Sequence, residues 1–212
     1  MHWFSNHWPL VFNLFFLTYA AVPVLAPILL ANGYLGLAGV IYRAYSFTCH
    51  QLPSHSYFIA DYQVALCQRC LAIYTTMGLA GIIYTLGWFR QVSLNWPWFL
   101  LFMIPMGLDG GSAWVSELAV VVPLIWFWGL GLLLIGGILF LLRRQNTKTP
   151  WQLYLFLLAG PLSLLYIMFI GPHQSNWWLR SITGAIYGVG LIWFIFPVLT
   201  ESPADPLPGM EP

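Results

Sequence analysis

The chain has 212 residues, of which 60% are hydrophobic and only 6% are charged. A soluble domain carries about 25% charged residues, so this composition cannot cover a water-facing surface and predicts a protein whose solvent is lipid. The formal net charge is +1, and no run of Lys and Arg resembles the electrostatic footprint of a nucleic-acid-binding protein. We therefore expect membrane lipids as partners and no nucleic acid.

The apolar stretches predict an all-α polytopic membrane bundle with about six transmembrane helices. A membrane-crossing helix needs about 20 apolar residues, and the chain lacks the basic start of a secretory signal, so the first stretch is expected to be retained. The predicted spans lie near 9–31, 66–89, 96–110, 118–142, 151–171 and 177–199. A shorter apolar segment at 34–47 is expected to be interfacial or re-entrant. Residues 1–200 then form one transmembrane domain, and 201–212 a disordered acidic, proline-rich tail.

The basic residues of the loops predict the orientation in the membrane. Arg143, Arg144 and Lys148 follow the fourth span, and Arg90 follows the second. Loops separated by two spans lie on the same side, and short basic loops are cytoplasmic, so the C-terminus is expected in the cytoplasm. The opposite, extracytoplasmic face then receives the polar segments 48–66, 109–117 and 171–176.

All three cysteines fall in the short stretch from Cys49 to Cys70. Cys67 and Cys70 lie three residues apart where the second span begins, so they share one helix face. Free N–H groups in the first helical turn, together with Arg69, favour the thiolate form. With Cys49 and His50 from the preceding loop they make a Cys3His set, which is typical of tetrahedral zinc sites. The sequence thus predicts a metal site, most plainly for zinc.

Two other interpretations of the cysteines remain open. In the first, Cys67 and Cys70 form the dithiol of a membrane thiol-disulfide oxidoreductase coupled to quinone, and Cys49 is the resolving thiol. Alternatively, a plain disulfide from Cys49 pins the loop, or the thiols are buried apolar groups, in a structural or assembly subunit with a membrane-protein partner. In the metal interpretation, His55, His173 or Asp109 are possible substitutes for His50.

Two charged residues lie in or against apolar runs, where ionisable groups are candidates for function. Asp109 is predicted to close the third span. Arg180 is predicted to lie one turn into the sixth span, on the face of Gly184 and Gly188, and this pair of glycines predicts close packing on another helix. Because a guanidinium on a packed face needs an anion, we expect Arg180 to pair with Asp109.

The candidate catalytic residues are Asp109, His173 and Arg180, if the protein is an enzyme. The metal would then activate water or polarise a substrate group, and a site at headgroup depth suits a lipid-like substrate. Glu117 is predicted to begin the fourth span, where the helix dipole favours a carboxylate.

The motifs together resemble an uncharacterised prokaryotic membrane-protein family, catalogued as domain of unknown function 2085. The matching elements are C-H-Q-x-P at 49–53, C-x-R-C with a following I-Y at 67–74, Asp109-Gly110, and the run Ser175, Asn176, Arg180, Thr183 and Gly184. The resemblance covers about residues 35–110 and 172–195, and it implies a compact multi-span fold whose motif residues act together. This chain departs from the family pattern at His55 and Ala72, and spans four and five resemble an insertion.

Overall fold

The computed structural model describes residues 2–89, 93–118, 129, 132–133, 136–137, 151–170 and 174–200. The described elements are, in chain order, α1 His2–Ala31, α2 Leu35–Tyr45, β1 Ser56–Ile59, β2 Tyr62–Cys67, α3 Gln68–Thr85, α4 Trp96–Leu118, α5 Trp151–Ile170 and α6 Trp177–Thr200. The predicted helical architecture is confirmed in its main features. The prediction of an all-α protein is corrected by a small antiparallel sheet.

Two helices in the described ranges are long and apolar enough to cross a membrane, His7–Ala31 and Trp177–Thr200. In the most apolar stretch of His7–Ala31, only 22% of the residues are buried inside the protein. The corresponding share in Trp177–Thr200 is 39%. A core helix of a soluble protein hides its apolar surface, whereas these two helices leave most of it facing outward. Their length and composition are those of helices that could span a membrane.

The prediction of six transmembrane helices is not supported by the described residues. Helix α2 has 11 residues, too few to cross about 30 Å of hydrocarbon. Helix α3 begins with Gln68 and Arg69, and α4 contains Asp109 and Glu117, so neither is apolar enough along its length. Most of the predicted fourth span, the basic loop after it and the tail from residue 201 lie outside the described residues.

Helix α4 continues well past the predicted end of the third span. It runs through Leu118, so Asp109 lies inside a helix rather than in a turn, and Glu117 lies in its last turn rather than at a helix start. Glycine lowers helix propensity by about 1 kcal/mol, which is why Asp109-Gly110-Gly111 reads as a turn. Packing overrides that preference: a Cβ at Gly110 would lie 3.0 Å from Nη1 of Arg69.

The sheet is a hairpin that folds the loop before α3 back on itself. Ser56 pairs with Cys67 and Ile59 with Tyr62, with an irregularity after Ser56. Ala60 and Asp61 form the connection, and both have positive φ, 49° and 66°, as the twist-matched two-residue turn requires. Alanine is not a turn signal in that position, so the sequence did not predict the hairpin.

Helix α3 packs closely on α6 through the two glycines singled out in the sequence. A Cβ at Gly184 would lie 2.7 Å from the backbone oxygen of Arg69, and one at Gly188 would lie 2.7 Å from that of Ile73 and even closer to Thr76 Oγ1. The prediction that this face packs on another helix is confirmed. The contact fixes the N-terminal turns of α3 and α6 side by side.

We predict that Gly188→Ala destabilises the protein by about 1–3 kcal/mol, because the new methyl group meets backbone that cannot move aside cheaply. Thermal unfolding in detergent measures the change. Gly107→Ala is the matched control: Gly107 also lies inside a helix, and its Cβ would meet nothing within 4 Å. This control should be neutral or stabilising by about 0.5–1 kcal/mol. Equal effects at the two positions would contradict close α3–α6 packing.

Candidate metal centre and the adjoining polar cluster

The structure brings the three cysteines together. Their Sγ atoms all lie within 4.8 Å of one another, although Cys49 belongs to the loop, Cys67 ends β2 and Cys70 lies in the first turn of α3. The hairpin makes this possible, since it returns the chain from Cys49 to the start of α3. All three are free thiols.

Backbone N–H groups point at two of the sulfurs. The N–H of Cys67 donates to Cys49 Sγ at 3.2 Å, and that of Cys70 donates to Cys67 Sγ at 3.4 Å. Cys67 is the N-cap of α3, so its sulfur also faces the positive end of the helix dipole. These donors stabilise negative charge on sulfur, which is the form that binds metal.

Hydrogen bonding inside the cluster lowers the pKa of Cys49 well below its usual range, with Cys67 as the main contributor and Cys70 the next. Burial opposes this effect but is the smaller influence. Cys49 is therefore the thiol of the group that most readily carries a negative charge.

The cysteine cluster is enclosed by apolar and aromatic groups. Cys49 and Cys67 are 6% and 3% exposed and belong to a buried core with Ala26, Tyr45 and Leu66. Tyr19 and Tyr74 pack against that core. A set of thiols shielded in this way resembles the closed sites of structural metals more than an open catalytic cleft.

His50 does not join the cysteines, contrary to the predicted Cys3His set. It is exposed, its Nδ1 accepts a hydrogen bond from the N–H of Leu52, and its ring lies edge-on to that of His55 at 5.4 Å.

A second polar cluster surrounds an ion pair between Arg69 and Asp109. Arg69 Nη2 donates to Asp109 Oδ2, and Thr183 Oγ1 donates to the same oxygen at 3.4 Å. The Asp109 side chain is 3% exposed and that of Arg69 24%. One carboxylate therefore joins α3, α4 and α6 inside an otherwise apolar bundle.

Arg180 does not pair with Asp109, its predicted partner, and binds two neutral groups instead. Its Nη1 donates to the carbonyl oxygen of Ser54 at 2.8 Å and to Gln68 Oε1 at 3.3 Å. The predicted ion pair of Arg180 with Asp109 is wrong, since Arg69 takes that carboxylate. Their positions in the sequence could not distinguish the two arginines, because each lies in the first turn of its helix.

His55 and Glu117 form the outer part of this polar cluster. His55 Nε2 lies 3.5 Å from Glu117 Oε1, with side chains 18% and 58% exposed. From the sequence, His55 is a candidate only as a substitute metal ligand for His50, and nothing in the sequence indicates this contact across 62 residues. The remaining candidate catalytic residue, His173, lies outside the described residues.

One family model matches the segment that carries the three cysteines and the Arg69–Asp109 pair. Residues 49–121 match the model of the family described as "Predicted membrane protein (DUF2085)". The predicted family resemblance is confirmed. An uncharacterized protein of Methanocaldococcus jannaschii is 38% identical over 72 residues, which make up 33% of this chain and 46% of the relative. The match thus spans about half of that relative, and no solved structure matches.

The DUF2085 match includes all three cysteines, Arg69 and Asp109, but not the second part of the predicted resemblance, at 172–195. The family description and the two apolar helices agree on a membrane protein.

We predict that stability falls on acidification through His55. Burial, and secondarily the positive charge of Arg180, hold the pKa of His55 below its usual value of 6.5, although Glu117 opposes this. The unfolded state then binds the proton more readily, so His55 contributes stability above about pH 6.5 that is lost as pH falls through its folded pKa.

Unfolding of the purified protein in detergent across pH 4–8 measures this effect, at about 1.4 kcal/mol for each unit of pKa difference. His55→Gln should reduce the acid-induced loss, and the exposed His50→Gln control should retain it. An unchanged pH profile in His55→Gln would contradict the prediction.

Proposed function

We propose that the protein is a metal-binding integral membrane protein in which Cys49, Cys67 and Cys70 hold one ion, with zinc as the first candidate. The observation that carries the proposal is the mutual approach of three Sγ atoms within 4.8 Å. Zinc–sulfur bonds of about 2.3 Å in tetrahedral geometry place the sulfurs about 3.8 Å apart. The cluster therefore needs only a small contraction to bind a single ion.

The ion would fasten the polar loop to the helical bundle. Cys49 precedes the hairpin and Cys70 lies within α3, so a shared metal closes the whole segment between them. A cross-link of this kind restricts the unfolded chain and adds its binding free energy to folding. Buried thiols with N–H donors fit that stabilising role.

Three cysteines leave one of the four coordination positions of a tetrahedral zinc ion open, and this favours an enzyme as a second candidate function. Among the described residues, the group contains no His, Asp or Glu within the same reach, so water or a substrate atom would complete a tetrahedral zinc. Catalytic zinc sites keep such an open position. A metal-dependent enzyme acting on a lipid-like substrate is therefore the second candidate, with Asp109 and the other residues of the polar cluster as its proton-transfer groups.

We infer the membrane placement from the two apolar helices and the basic residues. α1 and α6 are two of the proposed spans, in a prokaryotic membrane. Further crossings between them would place the cysteine loop on the extracytoplasmic side and the basic loops and the C-terminus on the cytoplasmic side. A membrane-protein partner is compatible with exposed aromatic residues such as Trp177 and Trp178, which are 60% and 47% exposed. The same residues also suit the lipid interface.

The metal proposal is tested by elemental analysis of protein purified in mild detergent without chelator. We expect one zinc ion per chain, and a fall of ~10-fold or more in Cys67→Ser, because two thiolates alone bind zinc weakly. His50→Ala is the matched control and should keep its metal, since His50 lies outside the cluster. Metal contents are compared only for variants that are folded, as judged by elution from size-exclusion chromatography at the same volume as the wild type.

Thiol counting on the same samples separates the alternatives. Metal-bound thiols should resist alkylation until a chelator is added. A metal-free wild type with a disulfide within the cluster would favour the quinone-coupled oxidoreductase. Full metal content in Cys67→Ser would contradict the proposed ligand set.

A further inference from the structure

Arg180 is a buried cation whose partners are neutral. The residue is 7% exposed, and its two hydrogen-bond acceptors are the carbonyl oxygen of Ser54 and the amide oxygen of Gln68. In the part of the chain that the structure describes, no carboxylate lies within ion-pair distance of it. Burial of a charge without an anion in contact is costly, and the carboxylates of Asp109 and Glu117 act on this guanidinium only from beyond ion-pair distance.

Charges of both signs surround Arg180: Arg69 repels its guanidinium, whereas the carboxylates of Asp109 and Glu117 attract it from beyond ion-pair distance. Arg69 lies within electrostatic reach of it, and the charge of Arg69 is already matched by Asp109. Arg180 also lies in the first turn of α6, where Asn176 caps the helix by accepting from the N–H of Leu179. Its partner Gln68 is the first residue of α3. The positive dipole ends of two long helices therefore meet beside a guanidinium that no carboxylate of the described residues contacts.

We propose that Arg180 and Arg69 form a binding site for a phosphate- or carboxylate-bearing ligand, at the junction of the 53–55 turn with the first turns of α3 and α6. Planar guanidinium groups bind such anions through paired, charge-assisted hydrogen bonds. Arg69 Nε is buried and has no partner among the described residues, so a donor remains for a ligand. The shared chemistry is that of a lipid headgroup and of free phosphate.

The entrance of the anion site is formed by the more exposed side chains of the polar cluster. Arg69 and His55 are 24% and 18% exposed, and Glu117 is 58% exposed. The Glu117 carboxylate repels an approaching anion, and neutralising it should therefore strengthen binding. The proposed site uses none of the three cysteines as a ligand, so anion binding and metal content are separate measurements on the same sample.

The experiment titrates inorganic phosphate into the full chain in phosphatidylcholine nanodiscs and measures binding by calorimetry. A parallel arm compares nanodiscs with and without phosphatidic acid, with bound lipid detected by native mass spectrometry. Arg180→Gln should weaken binding by ~10-fold or more, since charge-assisted hydrogen bonds are lost. Arg43→Gln, which neutralises an exposed arginine on α2, should leave binding unchanged.

Glu117→Gln keeps the proposal testable if Arg180→Gln fails to fold. This exposed position should tolerate the change, and binding should tighten by about threefold, because one repelling charge is removed. Saturable binding of phosphate identifies a soluble ligand, and binding of phosphatidic acid alone identifies a lipid headgroup. The proposal is overturned if neither anion binds, or if affinity is the same in the wild type and in every folded variant.

Discussion

The ion pair between Arg69 and Asp109 fixes the first turn of α3, and both candidate sites depend on that turn. Asp109 is almost completely buried inside α4, and its carboxylate also accepts from Thr183 on α6. In an apolar bundle these groups have few alternative partners, and breaking a buried pair costs about 3–5 kcal/mol. The pair therefore determines how three helices meet at one end of the protein.

The first turn of α3 presents different side chains to α4 and to the loop that contains Cys49. Arg69 reaches α4, whereas Cys67 and Cys70 on either side of it lie next to Cys49 in the loop. The same loop supplies the carbonyl of Ser54 that receives Arg180. The loop thus contributes to both the sulfur cluster and the arginine cluster. A metal bound by the cysteines would hold it in place for both.

The helices and the shared face of Cys67 and Cys70 followed from the sequence, because both depend on local patterns. Long apolar runs located α1, α5 and α6, and the three-residue spacing of Cys67 and Cys70 placed them on one face of α3. The close α3–α6 contact followed from the small residues Gly184 and Gly188. In each case, nearby residues contain the relevant information.

The features that the sequence did not predict depend on contacts between distant residues. Asp109-Gly110 resembles a turn by composition, but α4 continues because Arg69 packs over Gly110. The choice of Arg69 over Arg180 as partner of Asp109 depends on three-dimensional distances between helices. The hairpin turn at Ala60-Asp61 has no glycine or asparagine to signal it, and it alone explains how Cys49 reaches Cys67.

X-ray absorption at the metal edge of the purified protein tests the central claim most directly, because it reports the atoms bound to the ion. The account predicts three sulfur neighbours at about 2.3 Å and one lighter atom at about 2.0 Å. A shell without sulfur, or with two or more nitrogen neighbours from imidazole, would contradict a centre built by Cys49, Cys67 and Cys70.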